Sequence, residues 1–126
     1  MLTLQIIETA YRATLEEQDD PVVWITHAMR GAGAQLAVLL CGNAVNYAVR
    51  EQDCSGMQFG AWKQAQPPRL AADLASLASK GVEVMAIEDD LNERGIARAG
   101  LIEGITLVSR SGLAQVLERY PRVWQW

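Results

Sequence analysis

The sequence predicts an α/β fold, in which a mostly parallel sheet of five strands carries helices on both faces. Short apolar runs alternate with helical segments along the chain, and repeated strand–helix alternation is typical of parallel sheets. The run Gln35–Cys41 (QLAVLLC) contains almost no polar residue, as expected for a strand that is covered on both faces. The length of 126 residues fits five strands and a single domain over residues 1–126.

The predicted strands are short, aliphatic segments bounded by polar or turn-forming residues. They are Leu2–Ile7, Gln35–Cys41, Val82–Ile87, Ile105–Val108 and Val123–Trp126. Two further segments, Thr9–Gln18 and Glu51–Pro67, are polar or irregular and are predicted as connections. The second is a long loop with room for one helical turn, because Gly56 and Gly60 interrupt it.

Four of the predicted helices begin at a side chain that can accept backbone N–H bonds. These capping residues are Asp20, Asn43, Asp89 or Asp90, and Ser111. The helices that follow them are predicted over Val22–Ala32, over Ala44–Arg50, as a turn that ends at Arg94, and over Gly112–Arg119. A fifth helix, Arg69–Ser79, is predicted because Leu70, Leu74 and Leu77 share one helical face.

The composition excludes several classes of protein. The net charge is −4 and Lys and Arg form no cluster, so we expect no nucleic-acid partner. No apolar run approaches the ~20 residues of a membrane helix, and the N-terminus lacks the features of a secretory signal. We therefore expect no membrane partner, a cytoplasmic location and reduced thiols. The single histidine, His27, excludes a His-rich metal site within one chain, and we expect neither a metal nor a cofactor.

The carboxyl ends of the strands are the expected place for chemistry, because ligands of open α/β sheets bind at that edge. Two predicted turns lie there and form a candidate cleft, whose residues are Gly42, Asn43, Ile87, Glu88, Asp89 and Asp90. The three carboxylates are suited to a hard cation or to acid–base chemistry. Carboxylates at a helix start are also favoured by capping and the helix dipole alone, so both interpretations stay open.

The two cysteines are the candidate nucleophiles. Cys41 ends a strand and precedes a helix start, where the helix dipole can lower the pKa of a thiol. The alternative for Cys41 is a small apolar residue inside a buried strand. Cys54 lies in a polar loop that a partner can reach, but its neighbours Glu51 and Asp53 would raise its pKa.

Two tryptophans near the end of the chain are candidates for an oligomer seam. Trp124 and Trp126 are two residues apart on a predicted strand, so their side chains point to the same side of the sheet. Exposed aromatic residues on a terminal strand are suited to self-association. Packing into the core is the alternative.

The second half of the chain carries motifs of a known family. The apolar strand is followed by GNAVNYAV, then SKGVEVMAIEDDLNERGI, then LIEGITLVSRSGLAQVLERYPRVWQW. In order and spacing these segments resemble the DsrE/DsrF/DsrH-like superfamily, which includes the TusB, TusC and TusD sulfur-relay subunits and YchN-type proteins. The resemblance runs from about Gln35 to Trp126, and IEDDLNERGI and YPRVWQW are most similar to the DsrH/TusB branch.

The resemblance implies a three-layer α/β/α sandwich with a five-stranded parallel sheet, oligomers of small subunits, and a role in moving persulfide sulfur. In catalytic members a cysteine near the end of the third strand carries the sulfur, and Ile87 holds that place here. Asp90 stands where some members have a second cysteine. An isoleucine forms no persulfide, so sulfur transfer in this chain would have to use Cys41 or Cys54. Cys41 is the preferred candidate, since we expect it near Ile87.

Three functional hypotheses follow. The first is a DsrE-like protein of intracellular sulfur metabolism or sulfur relay, acting as a non-catalytic or atypical subunit. Its expected partners are copies of itself in a dimer, trimer or hexamer, or paralogous DsrE-like subunits, with a sulfur-carrier protein as a further partner. The alternative is an oligomeric small-ligand binding module without covalent sulfur chemistry, and the third is a cation-assisted enzyme that uses the carboxylates of the candidate cleft.

Overall fold

The computed structural model describes residues 1–14, 19–52 and 55–126 of the chain. Its strands are β1 Thr3–Ile7, β2 Leu36–Leu40, β3 Gln58–Phe59, β4 Trp62–Lys63, β5 Glu83–Ile87, β6 Ile105–Val108 and β7 Arg122–Gln125. Five of them form one sheet in the spatial order β6-β5-β2-β1-β7, and every pair in it is parallel. The predicted fold class, an α/β protein with a five-stranded parallel sheet, is confirmed.

The centre of the sheet is β2, and all five of its residues are buried. It pairs with β1 on one side, where Ile7 faces Leu40, and with β5 on the other, where Leu40 faces Ala86. A strand in this position contributes side chains to both faces of the sheet, which explains why its sequence shows no polar alternation. Two predicted strands whose adjacency the sequence left open, β2 and β5, are thus direct neighbours.

Helices cover both faces of this sheet, as the resemblance implied. They are α1 Pro21–Gly31, α2 Leu70–Ser79, α3 Glu88–Glu93 and α4 Leu113–Glu118. On one face Val23 of α1 and Leu74 of α2 belong to the same apolar cluster as Val38. On the other face Leu117 of α4 packs against a cluster that contains Leu39. Within the described ranges, no helix combines the length and the apolar character that crossing a membrane requires.

The segment after β2 forms a 3₁₀ helix, Gly42–Ala48, where the sequence predicted a short helix over Ala44–Arg50. The chain leaves β2 through Gly42, whose φ of +55° is strained for any residue with a side chain. Because the tight turn begins at that glycine, Asn43 lies inside the 3₁₀ helix. The prediction that Asn43 is an N-cap is therefore wrong.

Two other predicted caps also differ from the structure. Before α4, Ser109 rather than Ser111 accepts a hydrogen bond from the backbone N–H of Gly112, at 3.1 Å. Helix α3 follows β5 directly, and no side chain caps it. The two aspartates in its first turn, which were the predicted caps, bind other elements instead.

The segment Glu51–Pro67, predicted as a loop, contains an antiparallel hairpin made of β3 and β4. Gly60 forms its turn with a φ of +58°, and the rings of Phe59 and Trp62 lie 5.9 Å apart between centroids. Strands of two residues leave no periodic pattern in a sequence. The hairpin was therefore missed, although Gly60 marks its turn.

The edge strand β7 is joined to β1 by main-chain and side-chain hydrogen bonds. The backbone N–H of Trp126 donates to the carbonyl of Ile6 at 2.9 Å, and the N–H of Glu8 donates to the carbonyl of Trp126 at 3.0 Å. The indole Nε1 of Trp126 also donates to Oε1 of Gln5 at 2.7 Å. Gln5 is fully buried, and its Nε2 makes no hydrogen bond with the described part of the chain.

The predicted cap Asp20 is confirmed, and a buried tyrosine completes its hydrogen bonding. Oδ1 of Asp20 accepts from the backbone N–H groups of Val22 at 2.8 Å and Val23 at 3.1 Å. Oδ2 accepts from the hydroxyl of Tyr47 at 2.6 Å, and both side chains are buried. The same hydroxyl accepts from the backbone N–H of Tyr11. Tyr47 therefore joins the 3₁₀ helix to the start of α1 and to the loop after β1.

Replacing Tyr47 with phenylalanine is expected to lower the free energy of unfolding by ~1–3 kcal/mol at pH 7. The reason is that a buried carboxylate oxygen of Asp20 and the N–H of Tyr11 each lose a hydrogen-bond partner. Urea denaturation followed by circular dichroism measures this difference.

The same pair of proteins has an expected pH dependence. Burial, and the hydrogen bond to Asp20, raise the pKa of Tyr47 above its ordinary value of 10.0. Wild-type stability should therefore fall as the pH rises above 10, by up to about 1.4 kcal/mol per pH unit, because only the unfolded chain releases this proton. The Tyr47→Phe variant has no such proton to release. The difference in the free energy of unfolding between wild type and variant should therefore become smaller between pH 10 and 11. A deficit that stays constant over this range would contradict the burial argument.

Candidate functional site

The structure brings the two predicted turns of the candidate cleft together, because β2 and β5 are neighbours and end at the same edge. Asp90, in the first turn of α3, reaches across to the turn after β2. Its Oδ2 accepts a hydrogen bond from the backbone N–H of Gly42 at 2.7 Å. Asp90 is only 7% exposed, so this bond is largely shielded from water.

The other oxygen of Asp90 binds Arg110, which lies beyond the end of β6. The guanidinium of Arg110 forms an ion pair with Oδ1 of Asp90 and a second one with Glu93 at 3.3 Å. The pKa of Arg110 is raised by its hydrogen bonds to Glu93 and Asp90. Asp90 thus connects the carboxyl ends of three adjacent strands, β2, β5 and β6.

The side chain of Asp89 binds the main chain of the segment that follows β6. Its Oδ1 accepts from the backbone N–H of Arg110 at 2.8 Å. This hydrogen bond is the largest of the effects that lower the pKa of Asp89. Asp89 is therefore ionised at neutral pH and is bound to the chain after β6.

The remaining polar residues of the candidate cleft also have internal partners. Oδ1 of Asn43 accepts from Nη2 of Arg94 at 2.9 Å and from its Nε at 3.1 Å. Glu88 forms an ion pair with Arg98 at 2.8 Å. A small ligand or a cation at this edge would compete with three guanidinium groups for these side chains. In the described segments, no group of three or more His, Cys, Asp or Glu side chains is arranged to hold a metal ion.

Arg110 is the main residue of this site that the sequence analysis missed. It follows the predicted strand Ile105–Val108 by two positions, so the rule that selects the carboxyl ends of strands also applies to it. A lone arginine after a strand belongs to no motif for acid–base or nucleophilic chemistry, so the sequence did not single it out. Its importance depends on the adjacency of β5 and β6.

Ile87 lies in the core at the last position of β5 and is 2% exposed. It belongs to the apolar cluster between the sheet and α4, together with Leu39 and Val108. Cys41 packs against the same cluster and is partly buried. The expectation that Cys41 lies near Ile87 is consistent with this shared cluster.

The environment of Cys41 disfavours a reactive thiolate. Its Sγ lies 3.8 Å from the carbonyl oxygen of Ile7. Burial raises the pKa of the Cys41 thiol to about 12, and the negative charges of Glu8 and Asp90 contribute. The sequence had predicted that the helix dipole lowers the pKa of this thiol. That prediction is wrong because carboxylates and apolar side chains surround the sulfur.

The other predicted site residues lie elsewhere. Cys54 falls outside the described residues. Trp124 lies on the edge strand β7 and Trp126 directly follows it, and they are 37% and 40% exposed. The pairing of Gln5 with Trp124, and the hydrogen bond from Trp126 to the same Gln5, place both tryptophans on one side of the sheet. Neither contributes to the candidate cleft.

Several solved structures have this fold. The crystal structure of the YchN protein from E. coli aligns with a TM-score of 0.70 and 19% identity over 100% of both chains. A protein of unknown function from Methanobacterium thermoautotrophicum aligns with a TM-score of 0.63 and 16% identity, over 99% of this chain and 97% of that one. A conserved protein of unknown function from Bacteroides thetaiotaomicron aligns with a TM-score of 0.66 and 15% identity, over 98% and 94% of the two chains.

No protein-family model matches the sequence, and no curated protein is significantly similar to it. The likeness to YchN nevertheless supports the fold that the resemblance implied. At 15–19% identity this likeness concerns the fold alone. The chemistry of this chain has to be argued from its own residues.

Replacing Asp90 with asparagine tests the importance of the connection between the three strands. An asparagine keeps the shape but can accept at only one of its two polar atoms, so either Gly42 or Arg110 loses its partner. We expect the free energy of unfolding to fall by ~1–3 kcal/mol, as for other nearly buried acceptors. Urea denaturation monitored by tryptophan fluorescence gives the value.

The matched control is Glu93→Gln, which removes the exposed partner of the same arginine. Exposed ion pairs contribute little to stability, so this variant should be close to wild type. Equal losses for the two variants would show that Arg110 forms only surface pairs and that Asp90 has no special role.

Proposed function

We propose that this chain, on the basis of its DsrE-like fold, is a subunit of intracellular sulfur metabolism that does not itself carry sulfur. Its contribution is assembly with copies of itself or with homologous DsrE-like subunits, and a sulfur-carrier protein is a further partner of the assembly. This role places it in the cytoplasm, as one domain over its whole length.

The observation that carries the proposal is the occupation of the strand edge by Asp90. In the family that the chain resembles, this region holds the thiol that receives sulfur. Here Ile87 is buried in hydrocarbon, and the Asp90 carboxylate is bound by Gly42 and Arg110. A persulfide is a soft, anionic nucleophile and needs a reachable sulfur in an electropositive site. Ile87 supplies no sulfur at this position, and the guanidinium groups at this edge are already paired with carboxylates.

The chemistry of Cys41 supports the same proposal. Burial raises the pKa of the Cys41 thiol to about 12 from an ordinary 9.0, so its thiolate is scarce at neutral pH. The sulfur is also partly enclosed by the apolar cluster around Ile87. Of the two thiols, the one in the described structure is therefore poorly suited to accept sulfur.

The exposed edge of β7 is the surface that we assign to assembly. It lies at one end of the strand order, so within the described residues no strand pairs with the peptide groups along its outer side. Val123, Trp124 and Trp126 leave a third or more of their surface exposed there. Exposed apolar side chains beside an unpaired strand edge favour association with another chain.

Exposure to a persulfide donor, followed by intact-mass measurement, tests the absence of sulfur transfer. Glutathione persulfide is the donor, and the Cys54→Ser variant isolates Cys41. We expect no gain of about 32 Da, the mass of one sulfur atom, under native conditions at neutral pH. The same variant in denaturant is the positive control, because unfolding removes the burial that raises the pKa of Cys41.

A native adduct on Cys54→Ser that disappears in the Cys41→Ser/Cys54→Ser double variant would overturn the proposal in favour of an atypical sulfur carrier. The Cys41→Ser variant, which retains Cys54, reports separately on the second thiol. An adduct there would assign transfer to Cys54.

Light scattering tests assembly. We expect the purified chain to have a mass of at least twice its 13.8 kDa, and we expect Trp124→Ala to shift the equilibrium toward the monomer. Trp62→Ala is the control, since Trp62 is similarly exposed but lies on the β3–β4 hairpin. A stable wild-type monomer would contradict self-assembly, and equal effects of the two substitutions would contradict the seam on β7.

A further inference from the structure

The main-chain groups on the outer side of β7 belong to Val123 and Gln125. Those of Trp126 point toward β1, because its N–H donates to Ile6 and its carbonyl accepts from Glu8. Successive residues of a strand direct their N–H and C=O groups to alternate sides. Val123 and Gln125 therefore each direct an N–H and a carbonyl away from β1, toward a side where no strand of the described residues pairs with β7.

This edge is complementary to a copy of itself. A twofold axis perpendicular to the sheet and beside Trp124 makes two copies of β7 antiparallel. Val123 of one copy then lies opposite Gln125 of the other, and the two residues of each such pair exchange two N–H···O bonds. A second copy thus satisfies every outward-facing main-chain group of β7.

Pro121 disfavours the neighbouring register. With the axis beside Val123, Gln125 would lie opposite Pro121 of the second copy, which has no N–H to donate. With the axis beside Gln125, only one of the two outward-facing residues of β7 would lie opposite the other β7. The register centred on Trp124 is therefore the one that uses all of these groups.

The same register brings two exposed indoles together. Trp124 lies opposite Trp124 of the second copy, at a position without main-chain hydrogen bonds between the pair, where the side chains of antiparallel strands approach closely. In the single chain this side chain is 37% exposed. Contact between the two rings removes apolar surface from water.

Arg122 and Trp126 are complementary in charge across this axis. They lie two positions before and after Trp124 on the same side of the sheet, so Arg122 of one copy faces Trp126 of the other. Arg122 is exposed and makes no ion pair with another described residue. An indole ring attracts a guanidinium group, and the hydrogen bond to Gln5 holds this indole in place. Within one chain the two residues are about 13 Å apart along the strand, so a second chain is needed to bring them together.

We propose that two copies of this chain pair along β7, antiparallel and centred on Trp124, so that their two five-stranded sheets form one continuous sheet. This pairing rests on the proposed function, since it names the partner and the contact for the assembly assigned to β7. Each contact occurs twice, related by the axis, so the interface closes as a dimer.

Disulfide cross-linking tests the register, in a chain whose own thiols are removed by Cys41→Ser and Cys54→Ser. Val123→Cys and Gln125→Cys are introduced in separate chains, which are mixed and oxidised with copper phenanthroline. Opposite residues have Cα atoms about 5.5 Å apart, within the reach of a disulfide, whereas Val123 lies ~7–8 Å from Val123 of the second copy. We expect the mixed dimer to predominate by intact mass and either variant alone to give little dimer.

Other results would overturn the proposal. Strong cross-linking of Val123→Cys alone places the axis beside Val123, and strong cross-linking of Gln125→Cys alone places it beside Gln125. A wild-type dimer by light scattering without the mixed cross-link means that the chain assembles through another surface, so the proposed function stands and this pairing does not. A wild-type monomer contradicts self-assembly altogether.

Sedimentation at a series of concentrations tests the contact between Arg122 and Trp126. Arg122→Gln should raise the Kd of the dimer roughly tenfold, because each dimer loses two cation–π contacts, and Arg122→Lys should raise it less. Arg69→Gln is the matched control, since Arg69 is exposed, makes no ion pair with another described residue and lies at the start of α2. Both glutamine substitutions change the net charge equally, so equal effects would contradict the contact.

Discussion

The carboxylate of Asp90 is the interaction on which the carboxyl edge of this molecule depends. One oxygen holds the turn that leaves β2, and the other holds the arginine that follows β6, while the residue itself begins the helix after β5. A parallel sheet normally leaves this edge open, and its loops can then evolve binding or catalysis. Here the ion pair between Asp90 and Arg110 occupies this edge.

This arrangement also contributes to the state of the nearby thiol, although burial has the larger effect on its pKa. A sulfur at the end of a central strand is well placed for chemistry, but its neighbours determine whether it ionises. The carboxylate that organises the edge adds a negative charge beside Cys41. The Asp90 carboxylate thus connects the strands and at the same time disfavours ionisation of the thiol at the same edge.

The strands and the larger helices were predictable because apolar periodicity and capping are local signals. QLAVLLC could be recognised as a central strand, and Asp20-Pro21 as a helix start, without knowledge of anything distant. The errors occur where tertiary contacts override local preference. Asn43 and the aspartates of α3 are good capping residues, but arginine side chains and two backbone N–H groups bind their oxygens instead.

The position of the candidate site was predictable from the sequence, but the partners of its side chains were not. The edge rule selected Gly42, Asn43 and the three acidic residues, and the structure does bring them together. Whether these carboxylates bind a ligand or an arginine of the same chain depends on which strand lies next to β5. The sequence does not specify this strand order.

The hydrogen bond between Gln5 and Trp126 has a consequence for how β7 aligns with the sheet. Neighbouring residues of a strand point to opposite faces, so sliding β7 by one position would move the indole away from Gln5. The buried carboxamide would then have neither its acceptor nor its donor satisfied. Such a slip is disfavoured even though β7 is exposed and short. The hydrogen bond from Trp126 to Gln5 therefore fixes the register of this last strand.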